Sequence, residues 1–165
     1  YIVTPYDDQI GALNDRINTT YVGYGSLGYS KKENQKAQDK NAAGYSVAVA
    51  AERTKMKTSE AYKNADWDLV DASKEKEFDI SKVDDSQLPA ELKGKTTEEK
   101  KRYIQKKKEE REEVVKQIND LNSKRTAYIA EKTKNASPDE TSLDAVIIKS
   151  VRKQAAMKNF VFDNN

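Results

Sequence analysis

The carboxylates that could do acid–base chemistry lie beside the only tryptophan of the chain. Asp66, Asp68 and Asp71 are close together in sequence, and paired carboxylates can act as acid and base or contact a calcium ion. The 165 residues include no histidine and no cysteine, which excludes ordinary zinc sites, disulfides and histidine-based catalysis. We therefore predict no catalytic, cofactor-binding or metal-binding residue. A hydrolase or hydrolase helper that uses the three aspartates is the alternative.

Two further patterns are typical of binding sites but lack the context that such sites need. Gly23, Gly25 and Gly28 match G-x-G-x-x-G, yet no strand–helix unit with a downstream acidic residue follows, so a dinucleotide site is not predicted. The basic run over 100–108 is followed at once by glutamates over 109–113. Since the net charge is only +2, this alternation favours a solvated helix face over a phosphate-binding patch, and we predict no nucleic-acid partner.

The composition indicates which elements must carry these residues. Charged residues make up 35% of the chain and hydrophobic residues 36%, whereas an average domain has about 25% charged residues. Because the few apolar residues recur periodically, the sequence predicts a mainly α fold, a long helical hairpin or bundle formed by one domain over 1–165. No apolar run approaches the roughly 18–20 residues that a bilayer span requires.

The first thirty residues are predicted as a linker or edge element. Thr4 can cap a short helix whose first position is Pro5 and which ends near Asn18. The β-branched and aromatic residues over 20–25 predict a short extended segment, such as an edge strand.

A helix is predicted over 31–72, with Gly44 as its weak point and Trp67 as a core anchor between helices. Residues 73–95 contain Pro89, Gly94 and scattered polar residues, which indicate an irregular connection. We expect this connection to be held down by its isolated apolar side chains, namely Phe78, Ile80, Val83 and Leu88.

The strongest prediction is a long helix over 96–135, because this stretch begins with a threonine–glutamate cap and contains neither proline nor glycine. Lys107 and Arg111 occupy positions of its heptad pattern where hydrophobic residues belong. The first half of the helix is therefore predicted to project into solvent, and only the second half is predicted to pack.

A terminal helix is predicted over 142–158, capped by Ser142 and packed against the long helix or against residues 45–62. An alternating stretch, Phe160–Phe162, follows it. The residues predicted to carry packing or interaction are Trp67, Val114, Ile118, Leu121, Tyr128, Val146, Ile147 and Val151.

An ordered set of short segments resembles the C-terminal region of a family of bacterial von Willebrand factor A domain-containing proteins, many of them exported. The resemblance covers nearly the whole chain. Its segments are Thr4–Ile10, Leu13-Asn14, Asn18–Val22, Tyr24-Gly25, Gln38–Ala42, Trp67–Ala72, Leu88–Leu92 and Gln154–Phe160.

In that family a von Willebrand factor A domain with a metal-dependent adhesion site comes first, so the resemblance implies that this chain follows such a domain. The chain begins at Tyr1 without a methionine, and we expect the export signal upstream of it. Asp71–Glu75 departs from the Asp-x-Ser-x-Ser metal loop because Glu75 replaces the second serine, so no metal residue is carried over.

From the residues and the resemblance together we expect a non-catalytic interaction or scaffold module that acts by packing of helix faces. A protein partner or self-association follows from that expectation. Periplasmic or extracellular placement is implied by the resemblance alone. The alternative is an envelope-associated hydrolase or helper that uses Asp66, Asp68 and Asp71.

Overall fold

The computed structural model describes residues 2–135 and 143–158, and it is mainly α as the sequence predicts. No β-strand is present over these two ranges, where Gly23 and Asp68 form an isolated antiparallel bridge. The chain divides into two compact units, 1–129 and 130–165. The helices are α1 (Asp7–Asn18), α2 (Gly28–Tyr45), α3 (Val47–Met56), α4 (Leu69–Ala72), α5 (Thr97–Asn135) and α6 (Leu143–Ala156).

Helix α1 ends at Asn18 as predicted but begins at Asp7, two residues after the predicted Pro5. The Asp7 carboxylate explains the difference: its Oδ2 accepts a hydrogen bond from the Thr4 backbone N–H at 2.8 Å, and its Oδ1 accepts one from the Thr4 hydroxyl at 2.9 Å. Together with the hydrogen bond from the Asp7 N–H to the Thr4 carbonyl at 3.3 Å, these bonds close a turn over 4–7, so Pro5 and Tyr6 lie before the helix. Ile10 and Ile17 of α1 are fully buried.

The prediction of one continuous helix over 31–72 is wrong, because Ser46 separates α2 from α3. Ser46 has an extended backbone (φ −171°, ψ 161°), and its Oγ accepts a hydrogen bond from the Val49 N–H at 3.2 Å. A serine that caps a new helix in this way ends the preceding one. Further along, α3 stops at Met56 and only the short α4 follows, capped by the Asp68 carboxylate.

The segment between α1 and α2 is hydrogen-bonded to the residues at the start of α4. The Tyr24 N–H donates to the Trp67 carbonyl at 2.8 Å, and the Leu69 N–H donates to the Val22 carbonyl at 2.9 Å. Of the extended segment predicted over 20–25, only the single bridge between Gly23 and Asp68 is present. Gly23 is required there, since a Cβ at this position would lie 2.8 Å from the carbonyl oxygen of Gly28.

The irregular connection predicted over 73–95 contains three 3-10 turns, Ile80–Lys82, Asp85–Gln87 and Ala90–Leu92. Ile80 and Leu88 are buried as expected, and Leu92, which was not predicted, is fully buried with them. These side chains form one apolar cluster with Val22, Leu69, Val70 and Ile104. The connection is therefore packed against the start of α5.

Helix α5 begins with the predicted cap. The Thr96 N–H donates to Glu99 Oε2 at 2.8 Å, and the Glu99 N–H donates to Thr96 Oγ1 at 3.3 Å. The prediction that its first half projects into solvent is wrong, because Ile104 and Arg111 are only 5% and 6% exposed. A second apolar cluster then holds α5 against α1; its buried members are Leu13, Ile17, Tyr21, Trp67, Val114 and Ile118.

Helix α6 lies in the second unit and matches the predicted terminal helix closely in its bounds. Its apolar side chains Val146, Ile147 and Val151 are about half exposed. The expected Ser142 cap and the Phe160–Phe162 stretch lie outside the described residues. Over the ranges that are described, no helix combines the length and the apolar character that a membrane crossing demands.

Candidate functional site

The fold separates Asp66 from the other two acidic residues that could do chemistry. Asp66 is exposed, whereas Asp68 is fully buried and Asp71 is largely covered. Asp68 Oδ1 accepts a hydrogen bond from the Val22 N–H at 2.7 Å, and its Oδ2 accepts one from the Asp71 N–H at 3.1 Å. Both oxygens of the carboxylate that a reaction would need thus accept hydrogen bonds from backbone N–H groups of two segments.

Arg111 completes this arrangement from α5. Its Nη1 donates to Asp68 Oδ2 at 2.7 Å and to Asp71 Oδ1 at 3.1 Å. Its Nε donates to the Thr20 hydroxyl at 2.9 Å, and its Nη2 donates to the Thr20 carbonyl at 2.8 Å. We call these four residues, Arg111, Asp68, Asp71 and Thr20, the Arg111 junction. It connects α5, α4 and the segment after α1.

Aromatic rings cover the guanidinium of the Arg111 junction. The Arg111 Cζ lies 4.1 Å from the centroid of the Tyr21 ring, within the range of a cation–π contact. Tyr21 in turn stacks on Trp67 at a centroid distance of 5.6 Å. The ion pair is therefore enclosed by apolar surface, where an uncompensated charge would be costly.

The electrostatics of the junction follow from this enclosure. Burial raises the pKa of Asp68, although the positive charge of Arg111 and its hydrogen bond act in the opposite direction. Burial also raises the pKa of the Tyr21 hydroxyl. For Arg111, burial opposes the charged form, but the Asp68 carboxylate outweighs it and raises the pKa of the guanidinium. Burial thus favours the neutral form of Asp68, whereas the Asp68 carboxylate favours the charged form of Arg111.

An open cavity of about 1030 Å³ lies next to the junction. Tyr21, Tyr62 and Arg111 contribute to its wall, together with lysines and glutamates in similar numbers. The donors of Arg111 are already directed at Asp68, Asp71 and Thr20. Among the described residues no group of three histidine, cysteine, aspartate or glutamate side chains could hold a metal ion.

A second buried charge network joins the N-terminus of α1 to α3 and α5. Arg125 is 3% exposed; its Nε donates to Asp7 Oδ1 at 2.7 Å, and its Nη1 donates to Glu52 Oε1 at 2.5 Å. Burial raises the pKa of Asp7, but its hydrogen bonds from Thr4 and Arg125 outweigh this and lower it below the usual value.

A third network lies between α1, α2 and α3. The Asp39 carboxylate of α2 accepts hydrogen bonds from Asn14, Asn18, Arg53 and Lys57. Burial raises the pKa of Asp39, but the hydrogen bonds from Lys57 and Asn18 lower it further than burial raises it. Burial lowers the pKa of Lys57 to about 8, despite the opposing effect of Asp39.

The residues predicted to carry packing fall into three groups. Trp67, Val114 and Ile118 are buried together in the apolar cluster between α1 and α5, and Leu121 is partly buried against it. Tyr128 contacts Tyr6 edge to face, with ring centroids 6.4 Å apart. The α6 residues Val146, Ile147 and Val151 are 48%, 50% and 54% exposed.

Sequence reasoning placed Arg111 and Arg125 on the core face of α5 but did not recognise that they are buried. The available signal was their spacing: each lies seven residues from Ile118, so all three share one face. Asp68 carried a matching signal, because it stands between Trp67 and Leu69 in an apolar run. A buried arginine requires a buried carboxylate, and both were visible in the sequence.

Within the part of the chain that the structure describes, ion pairs involve three of the six cations in the basic run of α5. Lys100 is 8% exposed and donates to Asp85 Oδ1 of the connection at 2.5 Å. Lys101 lies 3.7 Å from Glu98, and Lys107 donates to Glu110 Oε2 at 2.8 Å, so these two pair with glutamates of the same helix.

No protein-family model, curated protein or solved structure matches the chain.

Proposed function

We propose that the chain is a non-catalytic interaction or scaffold module that follows a metal-dependent von Willebrand factor A binding domain in an exported protein. The observation that carries the non-catalytic part is the state of the buried carboxylates. Asp7, Asp39 and Asp68 each accept hydrogen bonds from a cationic side chain on another element. Groups used in this way stabilise the arrangement of the helices instead of meeting a substrate.

The hydrolase alternative receives less support from the same geometry. It requires a carboxylate that a substrate can reach, and Asp68 is fully buried with Arg111 against it. Asp66 is exposed, but a single exposed carboxylate does not form an acid–base pair.

We propose that the interaction surface is the apolar side of α6 and that its partner is a second copy of the chain. At about 100° per residue, Lys149 projects roughly 160° away from both Ile147 and Val151, and Lys153 projects roughly 160° away from Val151 and roughly 120° away from Ile147. Two copies can therefore bury their apolar sides without bringing these lysines together. The half-exposed state of Ile147 and Val151 supports a role in contact with another protein.

The experiment compares the full chain with Ile147→Asp/Val151→Asp by sedimentation velocity over a range of concentrations. We expect the wild-type chain to self-associate and the double variant to be monomeric with an unchanged melting temperature. The matched control, Lys149→Glu/Lys153→Glu, changes two charges on the opposite side of the same helix and should still associate. A monomeric wild-type chain would refute self-association through α6.

The link to a von Willebrand factor A domain, and with it the periplasmic or extracellular location, is tested separately. We expect the coding sequence upstream of Tyr1 to contain an Asp-x-Ser-x-Ser loop after a buried apolar strand. An upstream sequence without that loop would remove the family assignment.

A further inference from the structure

The Asp39 carboxylate lies in a cradle of donors that all come from outside its own helix. Its Oδ2 accepts hydrogen bonds from Asn14 Nδ2 at 3.2 Å, from Asn18 Nδ2 at 2.7 Å and from Lys57 Nζ, and its Oδ1 accepts one from Arg53 Nε at 2.7 Å. Helix α1 provides the two asparagines, while α3 and the turn after it provide the two cations. Four donors from three segments thus converge on one anion.

Three of the four cradle residues are held together without Asp39, whereas Arg53 also donates to Gln38 Oε1 of α2 at 2.8 Å. The Lys57 ammonium also donates to Asn14 Oδ1 at 2.8 Å and to Asn18 Oδ1 at 2.9 Å, and its side chain is fully buried. These bonds fix the lysine between the two asparagines. Arg53 and Lys57 place two positive charges around one carboxylate, with Asp15 as a more distant acidic neighbour. Donors fixed in this way make a preorganised anion site.

Helix α2, which inserts Asp39, is held mainly by polar contacts, such as the hydrogen bonds from Gln35 Nε2 to Asn18 Oδ1 and from the Tyr62 hydroxyl to Gln35 Oε1, both at 3.0 Å. Its buried residues are Gly28, Gln35, Asp39 and Ala42, none of which is a large apolar side chain. Helix α1, in contrast, buries two isoleucines and a leucine. An element with few buried apolar contacts opens at a lower free energy than the core. The helix also ends at a backbone break, the extended Ser46.

We propose that this cradle, formed by Asn14, Asn18, Arg53 and Lys57, is a carboxylate-binding site that Asp39 occupies within the chain and that an external carboxylate occupies when α2 undocks. The external group is either a free carboxylate ion or an aspartate or glutamate side chain of another protein. Asp39 then acts as an internal competitor, and binding of the external group is coupled to release of α2. The site does not depend on the apolar side of α6.

The first experiment tests the cradle with the variant Asp39→Ala, which removes the internal carboxylate and leaves the donors. Melting temperature is measured against acetate concentration, with chloride at equal ionic strength as the control salt. We expect acetate to raise the melting temperature by about 3–6 °C at ten times its dissociation constant, because binding to the folded state alone stabilises it. Above the dissociation constant, the gain should grow with the logarithm of the acetate concentration.

The matched control is Asp85→Ala, which removes a half-exposed carboxylate that pairs with Lys100. We expect no difference between acetate and chloride for this variant. If Asp39→Ala is unfolded in chloride, the expected result is recovery of its helical circular dichroism in acetate. Equal behaviour of Asp39→Ala in acetate and chloride would overturn the proposal, whether or not the variant is folded.

A further arm replaces acetate with N-acetyl-aspartate N-methylamide, which presents an aspartate side chain in a peptide. An equal rise in melting temperature at a lower concentration than acetate identifies a protein side chain as the better occupant. An equal rise only at a higher concentration identifies a free carboxylate ion. Both results support a carboxylate site and separate its two sources.

The second experiment tests whether α2 undocks in the wild-type chain. Hydrogen exchange followed by mass spectrometry should show the amides of α2 exchanging at least about tenfold faster than those of α5 between Ile104 and Ile118. Acetate at high concentration should increase the exchange of α2 and leave α5 unchanged. Exchange of α2 only by global unfolding would overturn the proposal, because Asp39 would then never vacate the cradle.

Discussion

Replacement of Arg111 by methionine removes the cation of the Arg111 junction and leaves the rest of its side-chain volume in place. Asp68 is fully buried and would be left without a cationic partner, so that it either carries an uncompensated charge or binds a proton. Removal of one member of a buried ion pair costs about 3–5 kcal/mol. Since a domain of this size is stable by about 5–15 kcal/mol, we expect Arg111→Met to lose a large part of its free energy of unfolding.

Urea unfolding followed by tryptophan fluorescence measures this loss directly. Trp67 is the only tryptophan and stacks on the ring that Arg111 faces, so its emission reports on the junction. The matched control is Lys101→Met on the same helix, whose side chain is 57% exposed and 3.7 Å from Glu98. Exposed pairs of this kind contribute little, and we expect a change within about 0.5 kcal/mol.

A double-mutant cycle with Asp68→Asn tests whether the loss arises from the uncompensated carboxylate. Once Asp68 is neutral, Arg111→Met should cost less than it does alone, with a coupling free energy of about 1–3 kcal/mol. A loss below about 1 kcal/mol for Arg111→Met, or additive effects of the two substitutions, would refute our account of the junction.

The same variant has a defined pH dependence. Burial already raises the pKa of Asp68 above its ordinary value of 3.8, and loss of Arg111 removes the main group that opposes this. The folded variant therefore holds a proton that the unfolded chain releases as the pH rises above 3.8, so its stability falls with rising pH over this window. The deficit of Arg111→Met relative to wild type should be smaller near pH 4 than at pH 7.

Two further predictions follow from the packing and the charges. Gly23→Ala places a Cβ 2.8 Å from the Gly28 carbonyl oxygen and should lower the free energy of unfolding in urea by about 1–3 kcal/mol. Its control, Gly11→Ala, lies in open space within α1 and should raise the free energy of unfolding by about 0.5–1 kcal/mol. Equal effects of the two substitutions would contradict the close approach of Gly23 and Gly28. Since the folded pKa of Lys57 is about 8 and its ordinary value is 10.5, the unfolded chain binds more protons between these values, and the contribution of Lys57 to stability rises with pH there. Lys57→Met should lack this rise when urea unfolding is compared at pH 7.5, 9 and 10, and an identical slope in both proteins would contradict the burial of Lys57.

Local signals in the sequence determined much of the secondary structure. The cap at Thr96 and the absence of proline and glycine over 97–135 predicted α5, because each residue there favours the same backbone conformation. The scattered polar residues, Pro89 and Gly94 predicted the irregular connection for the same reason. These features depend on residues that are neighbours in the chain, so they can be predicted from the sequence alone.

The break at Ser46 was not predicted, although serine is a good N-cap. A serine can also continue a helix, and the choice depends on whether the next segment gains contacts by changing direction. Here α3 buries Ala48 and Ala51, and its cap uses the Ser46 hydroxyl. The sequence permitted both conformations, and packing selected one.

The sequence by itself determined that the protein is mainly α, that it lacks histidine and cysteine chemistry, and that α5 has Arg111, Ile118 and Arg125 on one face. Only the tertiary structure decided that both arginines are buried, since their partners Asp68 and Asp7 are distant in the chain. The physical reason is that a charged side chain normally stays exposed to water. It can be buried in the core only when the fold places an opposite charge beside it. Whether two such charges come together depends on how all the helices pack, so no single segment of the sequence encodes it.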